Sequence, residues 1–411
     1  MSDASTVAKP AGETAAGGAK NRAALPPHLP GANRRYLVIT ELFLPTKGGT
    51  AVWFDEVYRR LGGKEIHVVT ADVPGAAQHD ASHPNTVHRI AMRRHWWLRP
   101  ESLGMYANML RAALGAGLRQ RFDAVHAGRV LPEGLVGLAA ARLLRIPLVV
   151  YAHGEELTTW TQRGKMKAMV FTFRHADRIV ANSEFTRDEL LKLGADPERI
   201  VRISPGVDTA RFRPGLPVAD LHAAIGKGPR QKLIVSVGRL SRRKGFDQVI
   251  RALPRLVAAG IDPLYAIIGI GEDHRYLEEV AREAGVAERV RLLGHVEMDA
   301  LPRWYNAADV FVMANREIDG DNEGFGMVFL EAAACGKAAI AGRDGGTGAA
   351  VIDGVTGFRV DGRSVDDVAR ALARVLGEPD LAETLGRNGH LRATAEFAWE
   401  RVADRTLELD I

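Results

Sequence analysis

The sequence predicts an α/β protein of two doubly wound domains that face each other across a cleft. Three observations carry this expectation: the length, two rounds of short apolar runs alternating with helical periodicity, and a Pro/Gly-punctuated stretch between the rounds. At 411 residues the chain is too long for one hydrophobic core and long enough for two.

Residues 1–33, rich in Ala, Gly, Pro and Ser, hold too few large apolar groups to repay ordering and are expected to form a disordered tail. From Tyr36 the runs "YLVIT", "IHVVTA", "AVHAG", "PLVVYAHG" and "RIVANS" alternate with helical stretches, giving a first domain over 34–205. Continuous apolar strands separated by helices imply a parallel sheet covered on both faces. After a connection over 206–229 the rhythm restarts with "KLIVSVG" and a helix whose apolar positions Phe246, Val249, Ile250, Leu253 and Val257 recur at helical spacing. "PLYAIIGIG", "RVRLLG", "VFVMAN" and "KAAIAG" complete a second domain over 230–385, and 386–411 closes the chain. Ligands of open parallel sheets sit beyond the carboxyl ends of the strands, so two such sheets place the site in the cleft between them.

The net charge of +5 divides unevenly. Residues 34–205 carry 25 Lys+Arg against 17 Asp+Glu, and residues 206–411 carry 27 against 31. The first half therefore faces something anionic, or presents a solvated basic face. One cysteine, Cys335, cannot close an internal disulfide, which makes a reducing, cytoplasmic setting the expectation. No uncharged apolar run reaches the roughly 18 residues of a spanning helix, and the N-terminus lacks the apolar core of a secretion signal.

Candidate site residues follow from the loops after the strands. "VGRLSRRKG" brings Arg239 and Lys244 to the cleft, a planar fork and a mobile point charge suited to a diphosphate, unless the loop is simply an exposed basic one. "GIGEDH" is half of a dinucleotide fingerprint, with His274 where the third glycine belongs, and no P-loop occurs. In "NEGFGMVFLEAAACGK" a helix is expected to begin near Gly326, its free amides favouring an anion, with Glu323 ahead of it and Glu331 inside it. Two carboxylates bracketing a helix start suit opposite ends of one ligand better than an acid/base pair across one bond. Gly48 and Gly49 precede another helix, and His153 ends a strand as a ligand contact or as a satisfied buried ring. Asp319-Gly320-Asp321 mimics a metal-binding D-x-D, but cations and amides already supply positive charge, so no metal is expected.

Gly48-Gly49, "AHG", "ANSEFTRDEL", "PGVDTARF", "GRLSRRKGFD" and "EGFGMVFLEAAACGKAAIAG" together resemble the retaining GT-B glycosyltransferases of family 4, from Tyr36 to nearly the end of the chain. The resemblance implies a GT-B fold of two Rossmann-like domains, with a final helix in "EFAWERVADRTLEL" packing back on the first. It implies that Arg239 and Lys244 grip the donor diphosphate, that Glu331 holds the nucleotide ribose and that Glu323 holds the donor sugar. Phe325, Gly326, Met327 and Val328 would meet sugar and phosphate, Gly48 and Gly49 would pass beside the diphosphate, His153 would touch the sugar near the reacting carbon, and His295 and Val296 would face the base. Where the family commonly has Pro-Glu, this chain has Gly348-Ala349, which leaves acceptor-side contacts open.

The insert "NREIDGDNEGFG" looks most like GDP-mannose-using mannosyltransferases acting on lipid-linked or glycan acceptors, with a UDP-sugar as the alternative donor. "MRRHWWLRPESLGMY" (92–106) suits contact with the anionic inner face of a membrane, or packing of its tryptophans in the core. A nucleotide-sugar epimerase would share the two-domain shape, and a nucleic-acid or lipid-binding module would leave the paired glutamates without a task; neither is favoured, and no nucleic-acid partner is expected.

Overall fold

The computed structural model describes residues 34–92 and 102–409. The expected tail over 1–33 and the centre of the segment 92–106, with both of its tryptophans, lie outside the described residues.

Strands β1 (Tyr36–Ile39), β2 (His67–Ala71), β3 (Thr86–Ile90), β4 (Ala124–Ala127), β5 (Leu148–Ala152), β6 (Arg178–Ala181) and β7 (Ile200–Arg202) form one sheet in the order 3-2-1-4-5-6-7. Strands β8 (Lys232–Val237), β9 (Pro263–Ile268), β10 (Val290–Gly294), β11 (Val310–Met313), β12 (Ala339–Gly342) and β13 (Gly357–Val360) form a second, in the order 10-9-8-11-12-13. Neighbouring strands pair in parallel in both sheets. The interior strands are buried on both faces, as in β1 (YLVI) and β5 (LVVYA), which is why each reads as an unbroken apolar run.

Three strands went unforeseen from sequence: β3, β7 and β13. Each lies at a sheet edge. All five residues of β3 (TVHRI) are half-buried, and it carries Arg89 paired with Asp80 and His88 against His67, so it shows no continuous apolar signal.

In both sheets the order reverses at the first strand, between β1 and β4 and between β8 and β11. Loops leaving adjacent strands at such a point turn to opposite faces and open a crevice. The two crevices are bounded by Thr40 and Gly128 on the first sheet and by Gly238 and Ala314 on the second.

The connection over 206–229 is more than a tether: it includes the helix Ala219–Ala224, and Ile225 joins the second core. The closing segment divides. The helix Pro379–Glu396 stays on the second domain, with Gly386 and Gly389 against Gly336 and Ala333, so the return to the first domain comes at Phe397–Trp399 and not at residue 386. The helix Trp399–Leu407 then packs Trp399, Val402 and Ala403 into the first core beside Tyr36 and Phe54, and Arg60 donates to Glu400 at 3.0 Å. Among the described residues no helix is long and apolar enough to cross a membrane.

Trp399 is 2% exposed and wedges against Gly206, so it anchors this return. Trp399→Ala should destabilise the protein by about 3–5 kcal/mol, read as a lower urea midpoint. An unchanged midpoint would show that the helix contributes nothing to the fold.

Candidate functional site

The loop after β8 is held to the end of β11. Gly245 has φ 72°, and a Cβ there would lie 1.8 Å from the Ala314 carbonyl oxygen, so glycine is required both by conformation and by space. This close approach turns the 3-10 segment Arg242–Lys244 over the cleft. Arg243 donates through Nη1 to Glu323 Oε2 at 2.9 Å and pairs through Nε with Asp321 Oδ2 at 3.0 Å; the Lys244 ammonium shares the same Glu323 oxygen. All three side chains of the Arg243–Lys244–Glu323 cluster are under 20% exposed. Burial by itself would raise the Glu323 carboxyl; Lys244 and Arg243 outweigh it and hold the group below the ordinary carboxylate range. Arg239 stands apart. It is exposed at the mouth of the same loop, with no ion pair or hydrogen bond among the described residues.

The second element of the seam begins at Gly326, whose φ of 85° caps the helix Met327–Ala334. The Phe329 amide already donates to the Gly326 carbonyl at 3.0 Å, which leaves the Met327 and Val328 amides as the first-turn donors without a partner inside the helix. Phe325 is buried in the second core, and Val328 packs against it, which fixes the helix start. Glu331, half-buried a turn inside, accepts a 2.5 Å hydrogen bond from the Tyr305 hydroxyl on Oε2; burial raises its pKa, which Tyr305 and Arg211 partly offset. Glu323 and Glu331 therefore have separate partners, two cations for one and a phenol for the other.

The first domain supplies the opposite wall. His153 follows β5, and its Nε2–H donates to the Gly128 carbonyl at 2.7 Å, which places the proton on Nε2. Burial, with Arg129 nearby, pushes its pKa down to about 4, so the ring is neutral at neutral pH. Its backbone is fixed from both sides: Glu156 accepts from the His153 amide at 2.8 Å, and Asn182 Nδ2 donates to the His153 carbonyl at 2.8 Å.

The two walls touch. A Cβ on Gly324 would lie 2.0 Å from the His153 carbonyl oxygen, and Ser183 Oγ donates to the Gly324 carbonyl at 2.9 Å. Gly49 lies against Met327, whose Sδ would be 3.0 Å from an added Cβ, while Gly48 has open space around it. Lys47 Nζ donates to His295 Nε2 at 3.3 Å across the outer lip, where Val296 leans on the second core. This is a closed cleft, with Gly48, Gly49, His153, Lys244, Glu323, Gly326, Met327 and His295 brought to one seam and Arg239 at its edge.

Asp319-Gly320 is the centre of a two-residue turn. Both residues have positive φ, and Ile318 and Asp321 exchange backbone hydrogen bonds, as Asp-Gly favours in such turns. Asp319 is exposed at the tip while Asp321 is turned onto Arg243. Among the described residues one trio of metal-capable side chains converges, Asp55, His79 and His83. There the Asn85 amide donates to His83 Nδ1 at 3.2 Å, leaving the His83 proton on Nε2 facing Asp55, and Arg59 stands 3.4 Å from the same carboxylate. His79 Nε2 bonds the same carboxylate at 2.8 Å, while Asp55 Oδ2 and His83 Nε2 are buried without a hydrogen-bond partner among the described residues.

Arg243, Asn182, Ser183 and Tyr305 were not singled out from sequence. Arg243 is one of three consecutive basic residues, and nothing in the run distinguishes it. "ANS" carried a signal, a polar pair directly after an apolar strand, that could have placed Asn182 and Ser183 at the seam.

Comparison with known proteins matches residues 218–392 to the family described as glycosyl transferases group 1 and residues 47–211 to glycosyltransferase family 4. The chain is 31% identical over 379 residues to a GDP-mannose-dependent alpha-(1-6)-phosphatidylinositol monomannoside mannosyltransferase of Mycolicibacterium smegmatis, covering 91% of this chain and 97% of that one. It is 33% identical over 392 residues to a D-inositol 3-phosphate glycosyltransferase of Geodermatophilus obscurus, covering 87% and 83%. Among solved structures, Anabaena HepE in complex with UDP and glucose superposes with a TM-score of 0.77 at 20% identity, covering 91% of this chain and 98% of that one. Sucrose-phosphate synthase from Thermosynechococcus elongatus does so with 0.75 at 21%, covering 92% and 98%. These last two establish the shared GT-B fold.

Since the Gly324 backbone abuts His153 with no room for a methyl group, Gly324→Ala should hold the walls apart. Small-angle scattering should then give a larger radius of gyration for the variant than for the parent protein. Equal radii would mean that closure does not turn on this contact.

Proposed function

Because the chain belongs to the family 4, group 1 glycosyltransferases and is a hexosyltransferase, we propose that it moves mannose from GDP-mannose, with retention at the anomeric carbon, to a hydroxyl of a lipid-linked or glycan acceptor. The observation that carries this reading is the buried Arg243–Lys244–Glu323 cluster at the seam, beside the amino end of the Met327–Ala334 helix. The donor and acceptor follow from the relatives: one is GDP-mannose-dependent, and both are named for inositol-based acceptors that carry phosphate. A basic first domain suits such an anionic acceptor, presented at a membrane surface.

In this reading Arg239 and Lys244 take the diphosphate, and the helix amides at Met327 and Val328 face it. Glu323, kept ionised by its cations, accepts hydrogen bonds from the mannose hydroxyls. Glu331 takes the ribose, His295 and Val296 border the base, and Gly48 and Gly49 admit the diphosphate past the first domain. His153, neutral with its proton committed to Gly128, contributes the Nδ1 lone pair and its backbone beside the sugar.

The acceptor oxygen forms a bond to the anomeric carbon on the face from which the diphosphate departs. The anomeric C–O bond breaks with its electron pair passing to the phosphate oxygen, which also receives the acceptor proton. Charge thus grows on the leaving phosphate, where the preorganised cations stabilise it more than they stabilise the ground state. That positive field takes the place a divalent ion would occupy, so the reaction proceeds without a metal.

Purified protein screened without acceptor should hydrolyse GDP-mannose slowly and faster than UDP-sugars. Arg239→Ala should lower that turnover by more than about tenfold, since a hydrogen bond to a charged group contributes about 1.5–3 kcal/mol. Preference for a UDP-sugar, or an unaffected variant, would sink the donor assignment. Activity should also persist in EDTA; complete loss on chelation, restored by Mg²⁺, would return Asp319 and Asp321 to the catalytic centre.

A further inference from the structure

The connection between the sheets contains "PGVDTARF", and the donor site described above gives it no task. Its geometry leads to Glu331. The Asp208 side chain accepts from the amides of Ala210 and Arg211 at 3.1 and 3.0 Å, and the Phe212 amide donates to the Asp208 carbonyl at 2.8 Å. This compact turn drives Phe212 into the second core, where it meets Tyr305 edge-on at 5.8 Å between ring centres. Phe311 supports Tyr305 from another side at 5.5 Å. Tyr305 is fully buried, and its hydroxyl has one hydrogen-bond partner among the described residues, Glu331 Oε2. The other carboxylate oxygen, Oε1, makes no hydrogen bond among them.

We propose that Tyr305 is a positioning residue for the nucleotide ribose, holding one oxygen of Glu331 so that the other accepts from a ribose hydroxyl, and that Phe212 of the connecting segment holds the Tyr305 ring in place. This rests on the assignment of Glu331 to the ribose. A buried phenol with one acceptor is a rigid support: its ring is fixed by aromatic contacts, and rotating Glu331 away would leave a buried hydroxyl without a partner, at a cost. The diphosphate would be gripped by cations and the sugar by Glu323, whereas the ribose end would be gripped by a carboxylate with one oxygen already committed. Specificity for a ribose over a sugar lacking its hydroxyls then depends on a residue that never touches the ligand.

The test compares binding of GDP and of 2′,3′-dideoxy-GDP by calorimetry, in the parent protein, Tyr305→Phe and Glu331→Gln. The parent should prefer GDP by about tenfold or more, the factor that a net hydrogen bond of about 1.4 kcal/mol makes. In Tyr305→Phe the preference should fall to within about threefold while dideoxy-GDP binds as before, because the ring packing is retained. Preference retained in Tyr305→Phe but lost in Glu331→Gln would overturn the positioning role and leave the ribose assignment standing. Preference retained in both would overturn the ribose assignment and the inference with it. Should Tyr305→Phe fail to fold, Phe212→Leu keeps the hydroxyl and loosens the ring. A narrowed preference there supports the inference, and an unchanged one overturns it.

Discussion

The site depends on the burial of one carboxylate between two cations. Glu323 sits where the two domains meet, with little water to solvate it, and Arg243 and Lys244 are what allow it to stay ionised there. Everything around the cluster serves to bring those three groups together. Gly245 lets the cation-bearing loop press on β11, Gly326 turns the chain into its helix directly after the glutamate, and Gly324 lets the opposite wall close over it. A pair of this kind contributes little net stability, since desolvation consumes much of the Coulombic gain. Its value lies in position: the charges that would receive a diphosphate and a sugar are already aimed before either arrives.

The proposed function implies an exchange at this cluster. With Lys244 and Arg243 both committed to Glu323, an incoming diphosphate would compete for the ammonium while sugar hydroxyls would compensate the carboxylate. Arg239, unpaired among the described residues at the edge of the cleft, would make first contact, and Lys244 would be released on seating. The two cations named from the sequence thus stand in different states, one exposed and one paired, although both belong to one short loop.

Much of the fold was legible because interior parallel strands must be apolar on both faces. β1, β2, β4, β5, β6, β8, β9, β11 and β12 announced themselves as runs, as did β10 at an edge. β3, β7 and β13 did not, because these edge strands are short or carry polar residues with partners of their own, as His88 has in His67 and Arg359 in the Arg343 carbonyl. The site was legible where a local rule applies: glycines before helices, carboxylates around a helix start, basic residues after a strand. It was opaque where partners come from distant segments. Nothing near Tyr305 in the sequence indicates Glu331, nothing near Ser183 indicates Gly324, and nothing in Asp319-Gly320-Asp321 announces the tight turn it forms or the contact of Asp321 with Arg243. Spacing reports what one segment can do alone; the seam is made by segments that meet only after both domains have folded.

The chain crosses between the domains twice, once through Gly206–Val207 and again at Phe397–Ala398, and the crossings lie side by side, with the Val207 amide bonded to the Phe397 carbonyl at 2.8 Å. A single tether would let one half swivel freely about the other. Two abutting tethers behave like a door hinge, which restricts the relative motion to opening and shutting about one axis, so the jaws can part to exchange a ligand and still meet again in register.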